Sequence, residues 1–159
     1  NYDIVLATST AALPAWMVKK YPEVMSTDYE GRQHHFGQRH NACPNSLVYQ
    51  KYAKALTAKL VERYGDNPHI TYWHINNEYG AECYCDNCKK AFHVWLKDKY
   101  KTIHAVNTAW NMEFWGHTIY DWDEIVVPNA LGEGIGKDRF FRHLHRLQTL
   151  YLRLPAFQL

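Results

Sequence analysis

The sequence predicts an α/β fold, an arc of a larger barrel rather than a closed sheet of its own. Two short apolar runs, residues 2–7 (Tyr-Asp-Ile-Val-Leu-Ala) and 70–75 (Ile-Thr-Tyr-Trp-His-Ile), each turn polar at the carboxyl end. The first enters Thr8-Ser9-Thr10, the second Asn76-Asn77-Glu78. Helical periodicity separates them, and strands joined through a helix need a crossover that leaves them parallel. Two strands cannot make a free-standing parallel sheet, so the pattern predicts a piece of something wider.

Taken in order, residues 2–7 form the first strand. Pro14 in Pro-Ala-Trp-Met-Val predicts a short helix within residues 11–21, with proline in its first turn. Tyr21-Pro22 ends it. Residues 23–43, carrying Gly31 and Gly37, read as a long loop of the kind that tends to be functional. Asn45 or Ser46 caps the next helix, where Tyr49, Tyr52, Ala53, Leu56, Leu60 and Tyr64 recur at three-to-four spacing. Gly65 stops that helix, with Pro68 just beyond. The second strand is rich in β-branched and aromatic residues without clean polar alternation, which predicts burial on both faces. Asp86 caps a further helix with Cys88, Phe92, Trp95, Leu96 and Tyr100 on its apolar face. A shorter helix covers residues 102–110, and an aromatic-rich loop covers 111–128. A Gly-rich connection at 131–137 and a last helix at 138–154, broken by Pro155, complete the expectation.

Composition narrows the function classes. At 159 residues one domain is expected, and 47% hydrophobic residues argue against disorder. A formal net charge of +2 gives no bias toward nucleic acid or a membrane surface. No apolar run approaches the length of a membrane span, and no signal-peptide pattern opens the chain. The start at Asn1, almost directly in a strand, reads as a cut from something longer.

Cys83, Cys85 and Cys88 form C-x-C-x-x-C, and Cys43 lies 40 positions upstream of the first. Four thiolates at these separations can converge on one tetrahedral Zn²⁺ in a closed structural site. Disulfides and unpaired buried thiols are the competing readings. Three cysteines within six residues are awkward for disulfides, because near neighbours do not easily pair. Glu78 is the other candidate. A carboxylate just beyond a parallel strand suits a ligand site, since such sites lie at the carboxyl ends of strands. The plain alternative is a solvated turn.

Three blocks together resemble the family 42 glycoside hydrolases, the β-galactosidases. They are Gly37-Gln38-Arg39 with Cys43-Pro44-Asn45-Ser46, then Trp73-His74-Ile75-Asn76-Asn77-Glu78-Tyr79-Gly80, then Cys83-Tyr84-Cys85 with Cys88. The likeness continues more weakly through Phe92-His93-Val94-Trp95-Leu96 and Phe114-Trp115 to Tyr120-Asp121-Trp122-Asp123, spanning roughly residues 3–128. It implies a partial (β/α)8 TIM barrel over 1–159, with Glu78 as general acid/base at the end of the fourth barrel strand. It implies that Arg39 and Asn77 contact a galactoside, that Trp115 walls the sugar site, and that Cys43, Cys83, Cys85 and Cys88 hold zinc.

Chemistry supports these roles independently. Protonating a leaving glycosidic oxygen needs a carboxylic acid with a raised pKa, which an apolar strand end can supply. An adjacent Asn can hydrogen-bond the sugar 2-hydroxyl. Arg39 offers fixed donors; its commonest fate elsewhere is a surface salt bridge. Trp115 could equally be core.

The chain also departs from the family pattern. After Arg39 the family tends to carry another Arg and a His, where this sequence has His40 and Asn41, and the Gly80–Cys83 loop is short. The likeness fades after Asn129. A retaining glycosidase needs a second carboxylate about 5–5.5 Å from the acid/base. In this family it comes from a later strand, so residues 1–159 alone are not expected to hydrolyse galactosides. Asp121, Asp123 and Glu124 lack a strand-end context. The alternatives are a non-catalytic zinc-stabilised module that binds nucleic acid, and a carbohydrate-binding remnant. The even charge balance predicts weak phosphate attraction and speaks against the first. Free thiols without a leader point to the cytoplasm, and the resemblance suggests a homotrimer for the full-length protein.

Overall fold

The computed structural model describes residues 2–78, 82–113 and 115–128; the expected connection at 131–137 and helix at 138–154 lie outside them. Strands β1 (Ile4–Ala7) and β2 (Ile70–His74) pair in parallel, with Val5 opposite Tyr72, Leu6 opposite Trp73 and Ala7 opposite His74. Between them run helix α1 (Ala15–Lys20), a 3-10 turn (Pro22–Val24) and helix α2 (Leu47–Tyr64). After β2 come α3 (Asp86–Tyr100), α4 (Ile103–Trp110) and a second 3-10 turn (Trp122–Glu124). The mixed order of strands and crossover helices matches the sequence reading.

Helix ends follow the side chains available. Ser46 caps α2 by accepting from the Tyr49 N–H at 3.3 Å, and Thr102 caps α4 by accepting from Ala105 at 3.1 Å. Asn111 ends α4 at φ 55°, a left-handed position that asparagine tolerates. Two boundary expectations shift by one residue. Pro14 is the residue before α1 rather than part of its first turn, since its ring presets the extended entry. Asp86 is the first residue of α3, behind Cys85 at the cap; there its carboxylate faces the positive end of the helix dipole.

Among the described residues two apolar clusters hold the chain together. Phe92 and Leu96 of α3 meet Val106 of α4 and the irregular segment after it at Ile119, Ile125 and Val127. Inside this cluster, buried Asn107 donates to the Ile119 carbonyl at 2.7 Å and accepts its N–H at 2.9 Å. A single amide thus satisfies both backbone groups of a buried loop residue. The other cluster joins Leu13 and Met17 to Val24 and Met25, with Tyr49 and Tyr52 of α2 packed against them.

The expected burial of β2 is not met in these residues. Thr71, Tyr72 and His74 are exposed, with Tyr72 at 71%. A parallel strand is covered only when sheet and helices close over both faces, and among the described residues β2 has β1 alone as its strand partner. The far half of α2 is likewise open, at Leu56 and Tyr64.

Candidate active site

Three loops meet at the carboxyl ends of the two strands. The ladder runs one rung past β1, where the Thr8 N–H donates to the His74 carbonyl at 3.0 Å. Ser9 then turns the chain away at φ 55°. The hydroxyls of Thr8 and Thr10 both donate to the carbonyl of Ile75, that of Thr10 at 3.2 Å. Tyr49 of α2 donates its hydroxyl to the Thr10 carbonyl at 2.9 Å. Beyond Ile75 the chain runs through Asn76, whose side-chain oxygen accepts the Asn77 N–H at 2.8 Å, to Glu78.

Arg39 reaches this point from the long loop. Its Nη2 donates to Glu78 Oε2 at 2.7 Å, across 39 positions of sequence. The loop is shaped for the purpose by its own amides. Asn41 Nδ2 donates to the carbonyls of Gly37, at 2.5 Å, and His35, at 3.1 Å. The His40 N–H donates to the Ala11 carbonyl at 2.9 Å. Ser9, Gln38, His40 and Glu78 all hold positive φ, from 41° to 62°. Such conformations cost roughly 1–3 kcal/mol each in non-glycine residues and cluster at functional sites. Among the described residues the other positive-φ positions besides glycine are Lys101 and Asn111, which end helices, and Trp115.

The candidates separate clearly. Glu78 and Arg39 are brought together, and the salt-bridge alternative for Arg39 resolves onto the candidate carboxylate itself. Both side chains are exposed, 71% and 55%, so the pair adds little stability. The apolar enclosure expected around Glu78 is absent among the described residues, for the same reason that β2 is bare. Asn77 holds its Nδ2 buried with no partner among the described residues. A buried donor in that state is a place for a ligand oxygen. Trp115 lies on the turn after α4 and is 83% exposed among the described residues. Asp121 and Glu124 are spent on a capping box around the second 3-10 turn, Glu124 Oε2 accepting the Tyr120 N–H at 2.7 Å.

The four cysteines converge. Cys43, Cys83, Cys85 and Cys88 place their sulfurs within 4.8 Å of one another. Cys43 Sγ lies 3.4 Å from Cys85 Sγ and 3.5 Å from Cys88 Sγ, far beyond a disulfide bond. Zinc–sulfur bonds of about 2.3 Å in a tetrahedron set sulfurs roughly 3.8 Å apart, so the donor set fits that ion. Two donors point at the sulfurs: Thr27 N–H at 3.5 Å from Cys83 and Asn45 Nδ2 at 3.2 Å from Cys88. Hydrogen bonds from Cys43 and Cys88 pull the Cys83 thiol far below the usual thiol range, and the bond to Cys83 together with burial pushes Cys43 up. Tyr84 also donates its N–H to the Thr27 carbonyl at 2.8 Å, tying the long loop to the segment after Glu78.

Sequence reasoning passed over Thr8, Thr10, Tyr49 and Asn41. The polar run at the end of the first strand was the available signal for the two threonines. Nothing in local pattern distinguishes Tyr49 or Asn41 from an ordinary helix-face or loop residue.

A sequence model of the family 42 glycoside hydrolases, described as β-galactosidase, matches residues 1–153, further than the motif likeness through 128. The chain is 65% identical over 156 residues to the β-galactosidase LacZ of Lactobacillus acidophilus, covering 98% of this chain and 23% of that protein. It is 60% identical over 128 residues to the β-galactosidase BgaP of Planococcus sp. (strain L4), covering 80% and 19%. The crystal structure of the β-galactosidase from Bacillus circulans sp. alkalophilus superposes with a TM-score of 0.85 at 56% identity, covering 98% of this chain and 24% of that one. The chain thus spans about a fifth to a quarter of the length of these relatives, and it belongs to glycoside hydrolase family 42. The reading as a nucleic-acid-binding zinc module is not favoured by these matches, and no helix among the described residues is long and apolar enough to cross a membrane.

Proposed function

We propose that this chain is the arc of a family 42 (β/α)8 barrel that carries the general acid/base of a retaining β-galactosidase, Glu78. The observation that carries the reading is the meeting of Glu78 and Arg39 at the carboxyl ends of two parallel strands, where barrel enzymes keep their chemistry.

In the first step Glu78 gives its proton to the leaving glycosidic oxygen while a carboxylate from elsewhere in the barrel attacks the anomeric carbon. In the second, Glu78 takes a proton from the water that releases galactose, so configuration is retained. Arg39 is a fixed fork of donors that positions Glu78 before substrate arrives and can share its N–H groups with a sugar hydroxyl. Asn77 Nδ2, buried and unsatisfied among the described residues, suits the sugar 2-hydroxyl, a contact that tightens in the transition state. Trp115 offers an exposed flat face suited to an apolar sugar face. Zinc held by Cys43, Cys83, Cys85 and Cys88 would pin the loop bearing Arg39 to the segment after Glu78. With four protein sulfurs it leaves no open position for chemistry. The thiols fit a cytoplasmic setting, and a homotrimer is the assembly in keeping with the resemblance.

The test uses the complete galactosidase containing this chain. Glu78→Gln is expected to lower kcat/KM for methyl β-galactoside by roughly 10²–10⁴-fold, the usual worth of a general acid. A dinitrophenyl β-galactoside, whose leaving group needs no proton, is expected to be nearly spared. Equal losses on both substrates would rule out the acid role.

A further inference from the structure

We propose that Thr8 and Thr10 are positioning residues for Glu78, a hydroxyl clamp that fixes where the second strand lets go of its ladder. The proposal rests on the reading of Glu78 as the general acid. It goes further by assigning the aim of that carboxylate to side chains on a different strand.

The geometry is specific. In a parallel ladder alternate carbonyls of β2 accept an N–H from β1, and the carbonyls between them are out of step with that strand. The last such bond is Thr8 N–H to His74 carbonyl, at 3.0 Å. Ser9 then takes φ 55° and leads the chain away, and the carbonyl after that of His74 is out of step with the β1 ladder. That carbonyl belongs to Ile75, three residues before Glu78. It is taken instead by two side-chain hydroxyls, Thr8 Oγ1 and Thr10 Oγ1, which lie 3.1 Å from each other. The clamp is itself anchored, because Tyr49 of α2 holds the Thr10 carbonyl at 2.9 Å.

The burial of the two partners argues for a positioning role. Thr8 is 1% exposed, so its hydroxyl is enclosed and its rotamer fixed by packing. Glu78 by contrast sits on an open loop with a strained backbone, φ 41°, and among the described residues one ion pair holds it. A carboxylate that must meet a glycosidic oxygen within a few tenths of an ångström needs support from rigid elements, since a displacement of about 1 Å can cost on the order of 10²-fold in rate. The path from α2 through Tyr49, Thr10 and Thr8 to Ile75 supplies that support, and Ile75-Asn76-Asn77 transmits it to Glu78.

The experiment compares Thr8→Val, Thr10→Val and Thr8→Ser in the complete galactosidase, with Glu78→Gln beside them. Each is assayed by kcat/KM on methyl and dinitrophenyl β-galactosides. A misplaced acid hurts only the substrate whose leaving group needs the proton. Thr8→Val is expected to lose roughly 10–100-fold on the methyl galactoside and less than about 3-fold on the dinitrophenyl one. Thr8→Ser, which keeps the hydroxyl, is expected to restore the methyl activity. Equal losses on both substrates, or none, would overturn the proposal while Glu78→Gln still discriminates between them. Should Thr8→Val not fold, Thr10→Val, at a half-buried position, decides on the same ratio. If Glu78→Gln itself fails to discriminate, the acid assignment falls first, and the clamp's proposed role falls with it.

Discussion

The cysteine cluster and the strand-end site stand a short stretch of sequence apart and are finished to different degrees. Cys43, Cys83, Cys85 and Cys88 are supplied by this chain alone, buried or half-buried, with Thr27 and Asn45 already donating to two of the sulfurs. Glu78 and Arg39 meet in the open, at the end of a sheet with Ile4, Val5 and Tyr72 exposed. The cluster needs only two loops to come together, and the Tyr84–Thr27 backbone bond brings them. The carboxylate needs walls and a partner that a two-stranded sheet does not provide. Four sulfurs able to hold a metal ion are thus brought together by this chain alone, whereas the proposed catalytic centre draws on strands outside the described residues.

That contrast can be broken most forcefully at the cluster. In the complete protein Cys43→Ser is expected to remove bound zinc, with a loss of binding free energy on the order of 10 kcal/mol. Elemental analysis and a thermal melt read it; unchanged metal content would show that the sulfurs are not the ligands. Because the sulfurs must shed protons to bind, affinity should fall as pH falls, and chelator-driven release should be faster in acid. Asn107→Ala, in the α3–α4 cluster, is expected to cost roughly 2–4 kcal/mol by orphaning both backbone groups of Ile119, without changing activity per folded molecule. Denaturant melts measure it, and a cost below about 1 kcal/mol would mean that water replaces the amide.

Arg39→Ala should behave oppositely. The exposed pair gives little to stability, so the melting temperature should hold, while kcat/KM falls by about 10–150-fold if Arg39 donates to a charged group in the transition state. A melting loss with normal kinetics would make it merely structural. Thr102→Ala, which removes the α4 cap, is expected to cost about 1 kcal/mol with normal kinetics.

The sequence was most legible where chemistry is local. Helix starts at Ser46 and Thr102, the strand ends and the Cys83-x-Cys85-x-x-Cys88 run follow from short-range pattern, while Cys43 joins them from 40 positions upstream. The polar break at Asn76-Asn77-Glu78 located the candidate carboxylate because apolar runs end where a sheet meets solvent. Burial was legible only in part. Tyr72 carries the composition of a covered strand, but the residues that would cover it are not among those described here. Thr8 reads as the polar end of a strand, and no local pattern reveals its bond to Ile75, which spans 67 positions. Asn41 shapes the Arg39 loop through carbonyls whose direction no sequence pattern encodes.

The most direct test of the central claim is azide rescue of Glu78→Ala in the complete galactosidase, using a dinitrophenyl β-galactoside and reading the anomeric configuration of the product. If Glu78 is the acid/base, the galactosyl-enzyme still forms on the other carboxylate. Azide then attacks it from the face Glu78 has vacated, giving β-galactosyl azide. An α-galactosyl azide would make Glu78 the nucleophile instead, and no azide product at all would contradict its place in the chemistry.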